Sequence, residues 1–376
     1  MKIAMVGCGF VADYYMQSLP LYPQLELVAV MDRDALRARE FAAFHRLDCR
    51  RESLDDILAD EHIELVLNLT NPDSHFEVSR ACLLAGKHVY SEKPMAMEFG
   101  QARALAELAG ARGLQIACAP CNVLSETAQA LWRALREQRV GPVKLVYAEM
   151  DDGLVQRMPY RKWLSDSGRP WPYKDEFEVG CTLEHAGYYV NWLTAFFGPA
   201  VSVSAFSTAL YPDKELGEAL DRVAPDLSVA CIRFAGGVVA RLTCSIVARR
   251  NQTLQLFGDR GILQVDHSWD YRQPVRVRRY LNVRRSMLIL PDGKYPLAAP
   301  PRAGKSRRGA NTMEFCRGPA EMAAALAEQR RSHMPTDYCL HNNEIVLAIH
   351  HALEKAATYE LTTTFAPVAP LPWAEA

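Results

Sequence analysis

The stretch “KIAMVGCGFVADYY”, residues 2–15, decides the fold. “KIAMVG” reads as an apolar strand, and “ADYYMQSLP” as the helix that follows it. Between them Gly7-Cys8-Gly9-Phe10-Val11-Ala12 has the spacing G-x-G-x-x-A. Between a strand and a helix each of these positions has a mechanical role. Gly7 permits a tight turn, Gly9 lets backbone approach a pyrophosphate, and Ala12 lets the helix pack on the strand. Phosphates would then lie at the positive end of the helix dipole. The same reading expects a carboxylate about 20 residues on, at the end of the second strand, to bond ribose hydroxyls. Asp32, in “AVMDRD”, is at that place. The acid favours NAD, while Arg33 beside it leaves NADP open.

The alternation continues to residue 121. “LELVAVMD”, “IELVLNLT”, “KHVYSE” and “LQIACAP” read as strands that are apolar throughout. “ALRAREFAAFHRL”, “DSHFEVSRACLLAG” and “FGQARALAELAGARG” read as amphipathic helices between them. That pattern signals a parallel sheet covered on both faces. After Asn122 a helix, “ETAQALWRALREQ”, leads into closely spaced strands: “VKLVYAEMDD”, “VSVSAF”, “DLSVACIRFA”, “VVARLTCSIVA”, “TLQLFG” and “GILQVD”. Two helical patterns, “AEMAAALAEQRR” and “HNNEIVLAIHHALEKA”, precede a proline-rich tail. The expectation is an α/β chain in two domains. Residues 1–121 form a Rossmann-type, doubly wound parallel sheet that binds NAD(P). Residues 122–376 form an α+β domain with a large, mostly antiparallel open sheet for substrate binding and oligomerisation.

Composition agrees. The chain has 376 residues, 49% hydrophobic and 23% charged, enough for two cores. A net charge of -1 gives no field to attract nucleic acid or a membrane surface. No apolar run approaches the roughly 18 residues of a membrane span. “MKIAMVGCGF” is too short in its apolar part for a signal peptide, so a cytoplasmic protein is expected. The ten cysteines are scattered, as expected for reduced, buried thiols. Cys118 and Cys121 form a C-x-x-C with no second pair at metal spacing, so no metal site is expected.

“SEKPMAM”, residues 91–97, is read as ending the fifth strand of the first domain, which puts Glu92, Lys93 and Pro94 on the ligand-binding rim. With “GCGFVA”, “MDRD”, “NLTNPDSH”, “SEKP” and the helix “GCTLEHAGYYVNWL” (180–193), in that order, the chain resembles the glucose-fructose oxidoreductase / inositol dehydrogenase / MocA family over most of its length. The resemblance implies a nicotinamide-dependent enzyme that interconverts a secondary alcohol and a ketone on a sugar, cyclitol or related polyol. It implies a homodimer or tetramer whose partner is a small molecule, not nucleic acid or membrane. It implies that Lys93 reaches the reacting hydroxyl. It also places Thr70, Asn71 and Pro72, in the loop read as following the fourth strand, under the ribose and nicotinamide, and brings Asn122 to the nicotinamide amide. His75 is read equally as a cap, a packing residue or a cofactor contact.

The helix departs from the family form G-G-G-x-x-x-D-x-G-x-H-x-x-D. Aligned on Gly180, the chain has Glu178 and Val179 for the leading glycines, Glu184 for the first aspartate, Ala186 for the glycine, Tyr188 for the histidine and Asn191 for the last aspartate. At about 100° per residue, Glu184, Tyr188 and Asn191 share one polar stripe, and Leu183, Ala186, Gly187, Val190 and Thr194 an apolar one. His185, Tyr189 and Trp192 fall on a third stripe, about 100° from the first. The resemblance implies that the Glu184 stripe is the face turned to the nicotinamide and that Tyr188, at the family's histidine position, handles the proton; His185 is read as an ordinary helix histidine. A phenol, with a pKa of about 10, is a poor base near neutrality, and the Lys93 ammonium would favour its phenolate. Glu184 either binds a substrate hydroxyl or pairs with an arginine.

Trp163, Arg169, Trp171 and Lys174, in the loop “RKWLSDSGRPWPYKDEFEVG” (161–180), are further candidates for cofactor or substrate contact. “VRVRRYLNVRR” (275–285) reads as an exposed strand, and “GKSRRGANTM” (304–313) as a loop near the site. His341 is read as opening the last helix, as a cap, a core residue or a substrate contact. Two other readings remain open: a redox-neutral enzyme that keeps NAD tightly bound, and a nucleotide-binding protein without chemistry.

Overall fold

The computed structural model describes residues 1–217, 219–299, 312–353 and 358–375 of the chain. Of “GKSRRGANTM”, only Thr312 and Met313 are among the described residues.

The strands β1 (Lys2–Val6), β2 (Glu26–Met31), β3 (Leu65–Asn68), β4 (His88–Ser91) and β5 (Ile116–Cys118) form a parallel sheet in the order β2-β1-β3-β4-β5. They are joined by α1 (Ala12–Ser18), α2 (Ala35–His45), α3 (Leu54–Ala59), α4 (His75–Leu84) and α5 (Phe99–Ala111). Ile3, Ala4, Met5, Leu65, Val66 and Leu67 are fully buried, which explains why these strands read as continuous apolar runs. Asp34 caps α2 by accepting from the Leu36 and Arg37 amides, and Ser53 with Asp56 makes a capping box on α3. The chain leaves β1 toward β2 on one side and passes to β3 on the other. A crevice opens beyond the carboxyl ends at such a switch point.

Two positions differ from the sequence reading. “SEKPMAM” follows the fourth strand, β4, and “NLTNPDSH” the third, β3. The five strands lie where the sequence places them, and only the ordinals of these two were one too high; between β2 and β3 the chain makes two helices and a one-residue bridge, Arg50 with Val30.

The chain divides into two compact units. The first is Met1–Cys121, with the later segments Met158–Val179 and Glu314–Leu347 added; the second is Asn122–Arg157, Gly180–Met313 and Ala348–Ala376. The first unit's long segment ends at Cys121, and the two later segments return to it. Long-range bonds hold them to the first unit. Tyr22 donates to Glu314 (2.5 Å), the Met95 amide donates to Asn343 Oδ1 (3.0 Å), and Thr336 Oγ1 donates to the Ile116 carbonyl (2.9 Å). The closing helices span Arg317–Ala327 and Thr336–His350. His341 is therefore inside its helix, fully buried, and does not open it.

The second unit is a ten-stranded mixed sheet. Its strands are β6 (Val143–Asp151), β7 (Ala200–Thr208), β8 (Leu227–Phe234), β9 (Val239–Ser245), β10 (Leu254–Gly258), β11 (Gly261–Val265), β12 (Val275–Val283), β13 (Ser286–Ile289), β14 (Gly293–Tyr295) and β15 (Thr358–Glu360). The order is β13-β12-β11-β10-β6-β9-β8-β7-β15, with β14 on β12; β6 and β9 run parallel and the other pairs antiparallel. Trp132 of the helix Glu126–Arg136 packs on Phe196 of the helix Gly187–Phe197 (5.6 Å between centroids), and Phe197 meets Phe234 of β8 (5.7 Å). The outer half of β12 is exposed, as its alternating arginines suggest. No helix among the described residues is long and apolar enough to cross a membrane.

Asp13, on α1, ties the segment 158–179 to the first unit. Its carboxylate accepts from the Ser167 amide (3.0 Å) and hydroxyl (2.7 Å) and meets His45 Nε2 at 2.5 Å. Burial would raise this carboxyl, but hydrogen bonds from His45, Ser165 and Ser167 outweigh it and lower it from 3.8 to about 2. A depressed acid stabilises the fold above its unfolded value and loses that contribution as pH falls through its folded value. Asp13→Asn is therefore expected to cost about 2 kcal/mol in urea unfolding at pH 7, the scale of a hydrogen bond to a charged group. The gap between the two proteins should close as pH is lowered from about 4 to about 2. A gap that stays constant over that range would assign the loss to packing.

Candidate active site

The first unit presents the nucleotide motif. At the end of β1, Gly7 has φ +104°, and its amide donates to the Met31 carbonyl (2.8 Å). A Cβ on Gly7 would lie 2.4 Å from the Leu69 carbonyl oxygen, so the ends of β1 and β3 approach too closely for any side chain. At Gly9, by contrast, a Cβ would meet nothing within 4 Å. That open space lies at the start of α1, with Phe10 and Val11 half-buried beside it and Ala12 fully buried against the sheet. Asp32 is buried and divides its carboxylate. One oxygen accepts from the Cys8 amide (2.8 Å) and the other from the Asp34 amide (2.9 Å), with Arg37 at 3.6 Å. The acid thus locks the glycine turn to the end of β2, and each oxygen keeps a lone pair for a ribose hydroxyl. Arg33 is exposed next to it. Burial first, and Asp32 second, push the Cys8 thiol up to about 12, so it is an inert packing residue.

The loop after β3 is held from below. Thr70 Oγ1 donates to Asn68 Oδ1 (2.7 Å), and Asn71 Oδ1 accepts from Ser74 Oγ (2.7 Å) in the turn that Pro72 opens. His75 is buried at the start of α4, with its ring nitrogens 2.6 Å from the Pro94 carbonyl and 3.0 Å from the Thr70 carbonyl. It braces the Thr70 loop against the loop after β4. Glu92 is buried; one oxygen accepts from Tyr15 (2.9 Å) and the other from the Lys93 amide (3.2 Å). Lys93 itself is half-buried. Cys118 and Cys121 are buried free thiols. Among the described residues no group of three His, Cys, Asp or Glu side chains could hold a metal ion.

The second unit carries a separate cluster. Gly180 has φ +87°, and a Cβ there would lie 2.7 Å from the Ala224 Cβ and 2.9 Å from the Pro225 carbonyl oxygen. The next turn, Thr182–Ala186, is a π-helix, and the α-helix proper begins at Gly187. A π turn holds more residues than an α turn, so the uniform 100° step used in the sequence reading does not apply across it. His185 and Tyr188, expected on different faces, are three residues apart, close enough on a helix surface for both to pack on the indole of Trp269, at 5.9 and 5.6 Å between centroids. Tyr189 and Trp192 go fully into the core instead, where the Tyr189 hydroxyl donates to the Gln252 carbonyl. Glu184 is buried. Asn122 is buried too; its amide donates to the Tyr188 carbonyl (2.9 Å) and accepts from Asn191 (3.4 Å), fixing the turn that carries Tyr188.

Four residues around Trp269 escaped the sequence reading. Asp152 lies 3.9 Å from His185 Nε2, 3.6 Å from Arg250 Nε and 3.4 Å from Gln252 Nε2. The Arg250 guanidinium lies 5.3 Å from the Trp269 ring and 3.1 Å from His267 Nε2. Burial, then the Arg250 charge, keep the His267 imidazole below its usual pKa. Trp269 Nε1 is buried with no hydrogen-bond partner. Sheet register explains the convergence. Leu254 pairs with both Ala148 and Val265, so the end of β6, the start of β10 and the end of β11 leave the sheet at one edge. Asp152, Arg250, His267 and Trp269 are carried by those exits. The signal in the sequence was “VDHSWDY”, a dense run of polar and aromatic side chains directly after a strand.

The first unit's residues fit a dinucleotide: Gly9 leaves space for backbone approach, and Asp32 has acceptor capacity for a ribose. Comparison with known proteins agrees. A family model described as an oxidoreductase family with an NAD-binding Rossmann fold matches residues 1–119, and the model of the GFO/IDH/MocA C-terminal domain matches residues 128–264. An uncharacterized oxidoreductase of Synechocystis sp. is 27% identical over 285 residues, 74% of this chain and 75% of that protein. The trans-1,2-dihydrobenzene-1,2-diol dehydrogenase of Sus scrofa is 24% identical over 274 residues, 72% of this chain and 75% of that protein. The crystal structure of the WlbA dehydrogenase of Bordetella pertussis, in complex with NADH and UDP-GlcNAcA, superposes with a TM-score of 0.72 at 19% identity, covering 96% of this chain and 97% of that one. The chain belongs to the GFO/IDH/MocA family of oxidoreductases, and its residues 1–119 are the family's NAD-binding Rossmann domain.

Proposed function

We propose that this oxidoreductase interconverts a secondary alcohol and a ketone on a sugar, cyclitol or related polyol, with Lys93 and Tyr188 handling the proton. The observation that carries the reading is the cluster on Trp269. A phenol, two imidazoles, a guanidinium and a carboxylate surround one indole whose own N–H has no partner. An aromatic platform ringed by donors and acceptors suits a polyhydroxylated carbon skeleton, with apolar C–H faces and many oxygens. The neighbours support the class: WlbA is a dehydrogenase solved with a nucleotide sugar, and the Sus scrofa relative is a diol dehydrogenase.

The bound dinucleotide supplies the hydride acceptor or donor. In the oxidative direction the Tyr188 phenolate takes the proton of the substrate hydroxyl and becomes the phenol. Its ordinary pKa of about 10 makes it a weak base at neutrality, and the positive charge of Lys93 favours the phenolate form. Asn122 holds the Tyr188 carbonyl and so keeps the phenol on its turn of helix. Trp269 orients the substrate carbons, and Arg250 with Asp152 offers a donor and an acceptor to its hydroxyls. Glu184 is auxiliary.

With NAD and a panel of polyols, net NADH formation is expected. Tyr188→Phe should lower kcat/KM by about 100-fold or more, the usual share of a general base, with NAD affinity unchanged. His185→Ala should cost less than about tenfold. The reverse order, with His185→Ala inactive and Tyr188→Phe active, moves the proton to the imidazole. Trp269→Ala should raise KM about tenfold, roughly the 1.4 kcal/mol of one good ring contact, while changing kcat less. An unchanged KM removes the platform from the account.

A further inference from the structure

The segment Met158–Val179 belongs to the first unit, although the chain reaches it only after β6. Its contacts follow a line. Asp166 accepts from Gln17 (2.8 Å) and Ser167 donates to Asp13, both on α1 behind the glycine motif. Arg169 pairs with Glu40 on α2. Further along, Asp175 lies close enough to Asp73, after β3, and to Arg33, after β2, to feel both charges. The segment therefore bonds to α1 and α2, which follow β1 and β2, and at Asp175 lies within electrostatic range of the turns after β2 and β3.

We propose that this strap is the outer wall of the dinucleotide site and that Arg169 reads the adenosine ribose, its guanidinium donating to the oxygen at the 2′ position. The strap turns on itself at this residue: the Ser165 amide donates to the Arg169 carbonyl (2.8 Å), and the Arg169 amide donates to Ser165 Oγ (3.1 Å). The side chain is about one-fifth exposed, and its Nε is buried with no hydrogen-bond partner. A buried guanidinium N–H without an acceptor is costly, and a ligand oxygen would relieve it. The location fits. The positive charge of Arg169 acts on Cys8, whose amide is bonded to Asp32, and on Asp34, the next acid along. Asp32 is the carboxylate that faces ribose hydroxyls in this fold.

The charges there are balanced in number, with Asp32, Asp34 and Glu40 against Arg33, Arg37 and Arg169. Arg37 is shared between Asp32 (3.6 Å) and Asp34 (3.8 Å), and Arg169 is held by Glu40. With Glu40 in place the guanidinium serves a neutral 2′-hydroxyl. A 2′-phosphate would bring further negative charge beside Asp32 and Glu40, and Glu40 already offsets the Arg169 charge that would attract it. Glu40 thus sets the preference for NAD over NADP through Arg169.

The inference concerns the dinucleotide domain alone and does not depend on which residue handles the proton, so it is read by binding. Calorimetric titration of the full chain with NAD, NADP, ADP-ribose and nicotinamide mononucleotide separates the cases. Arg169→Ala should weaken NAD and ADP-ribose by about tenfold, as for one lost hydrogen bond to a charged donor, and leave the mononucleotide unchanged. Glu40→Gln, at an exposed side chain, should tighten NADP by about tenfold and change NAD less than threefold. Unchanged NAD and ADP-ribose affinity in Arg169→Ala overturns the proposal. If that variant fails to fold, Glu40→Gln decides alone, and no gain in NADP affinity overturns it.

Discussion

The backbone of Gly180 passes so close to Ala224 and Pro225 that no side chain fits there, and this approach fixes where the chain enters the helix that carries His185 and Tyr188. The chain enters its helix under this constraint, with the Cys181 amide bonded to the Pro225 carbonyl (3.0 Å), and continues in a π turn. Tyr189 and Trp192 then go into the core, and His185 and Tyr188, three residues apart, share one indole. Such π turns recur at functional positions because they re-aim side chains without breaking the helix. The reading of Tyr188 as the proton-handling group rests on this local geometry. So does the nearness of His185 to it.

What was legible in the sequence is what depends on near neighbours in the chain. The strands and helices of the first unit show in their periodicity, and Gly7, Gly9 and Asp32 carry roles set by one strand-turn-helix unit. The cluster on Trp269 was illegible for the opposite reason. Asp152, His185, Arg250 and His267 are far apart in sequence and meet only because Leu254 pairs with Ala148 on one side and Val265 on the other. Register between distant strands leaves no short-range trace. The π turn was hidden as well, since a regular helical step was the natural assumption for “GCTLEHAGYYVNWL”.

The two units contribute different chemistry. The first is built from backbone approach and buried carboxylates. Gly7 lies against the Leu69 carbonyl, Asp32 locks the glycine turn, Glu92 takes Tyr15 and the Lys93 amide, and Asp13 anchors the strap. These acids act through fixed hydrogen bonds, which makes the surface rigid before any ligand arrives. The second is built from rings and long polar side chains at one sheet edge. Its groups differ in charge and shape, a composition suited to telling one polyhydroxylated molecule from another.

The central claim is that the phenol of Tyr188 is tuned for proton transfer by the charge of Lys93. It is tested most directly by titrating the Tyr188 ring carbon by NMR in the NAD-bound protein with labelled tyrosine, in the natural chain and in Lys93→Met. The account predicts ionisation well below the ordinary phenol value of about 10 in the natural chain, and an upward shift of about one unit or more when the ammonium is removed. A Tyr188 titration that is ordinary in both proteins, or identical in the two, would contradict it.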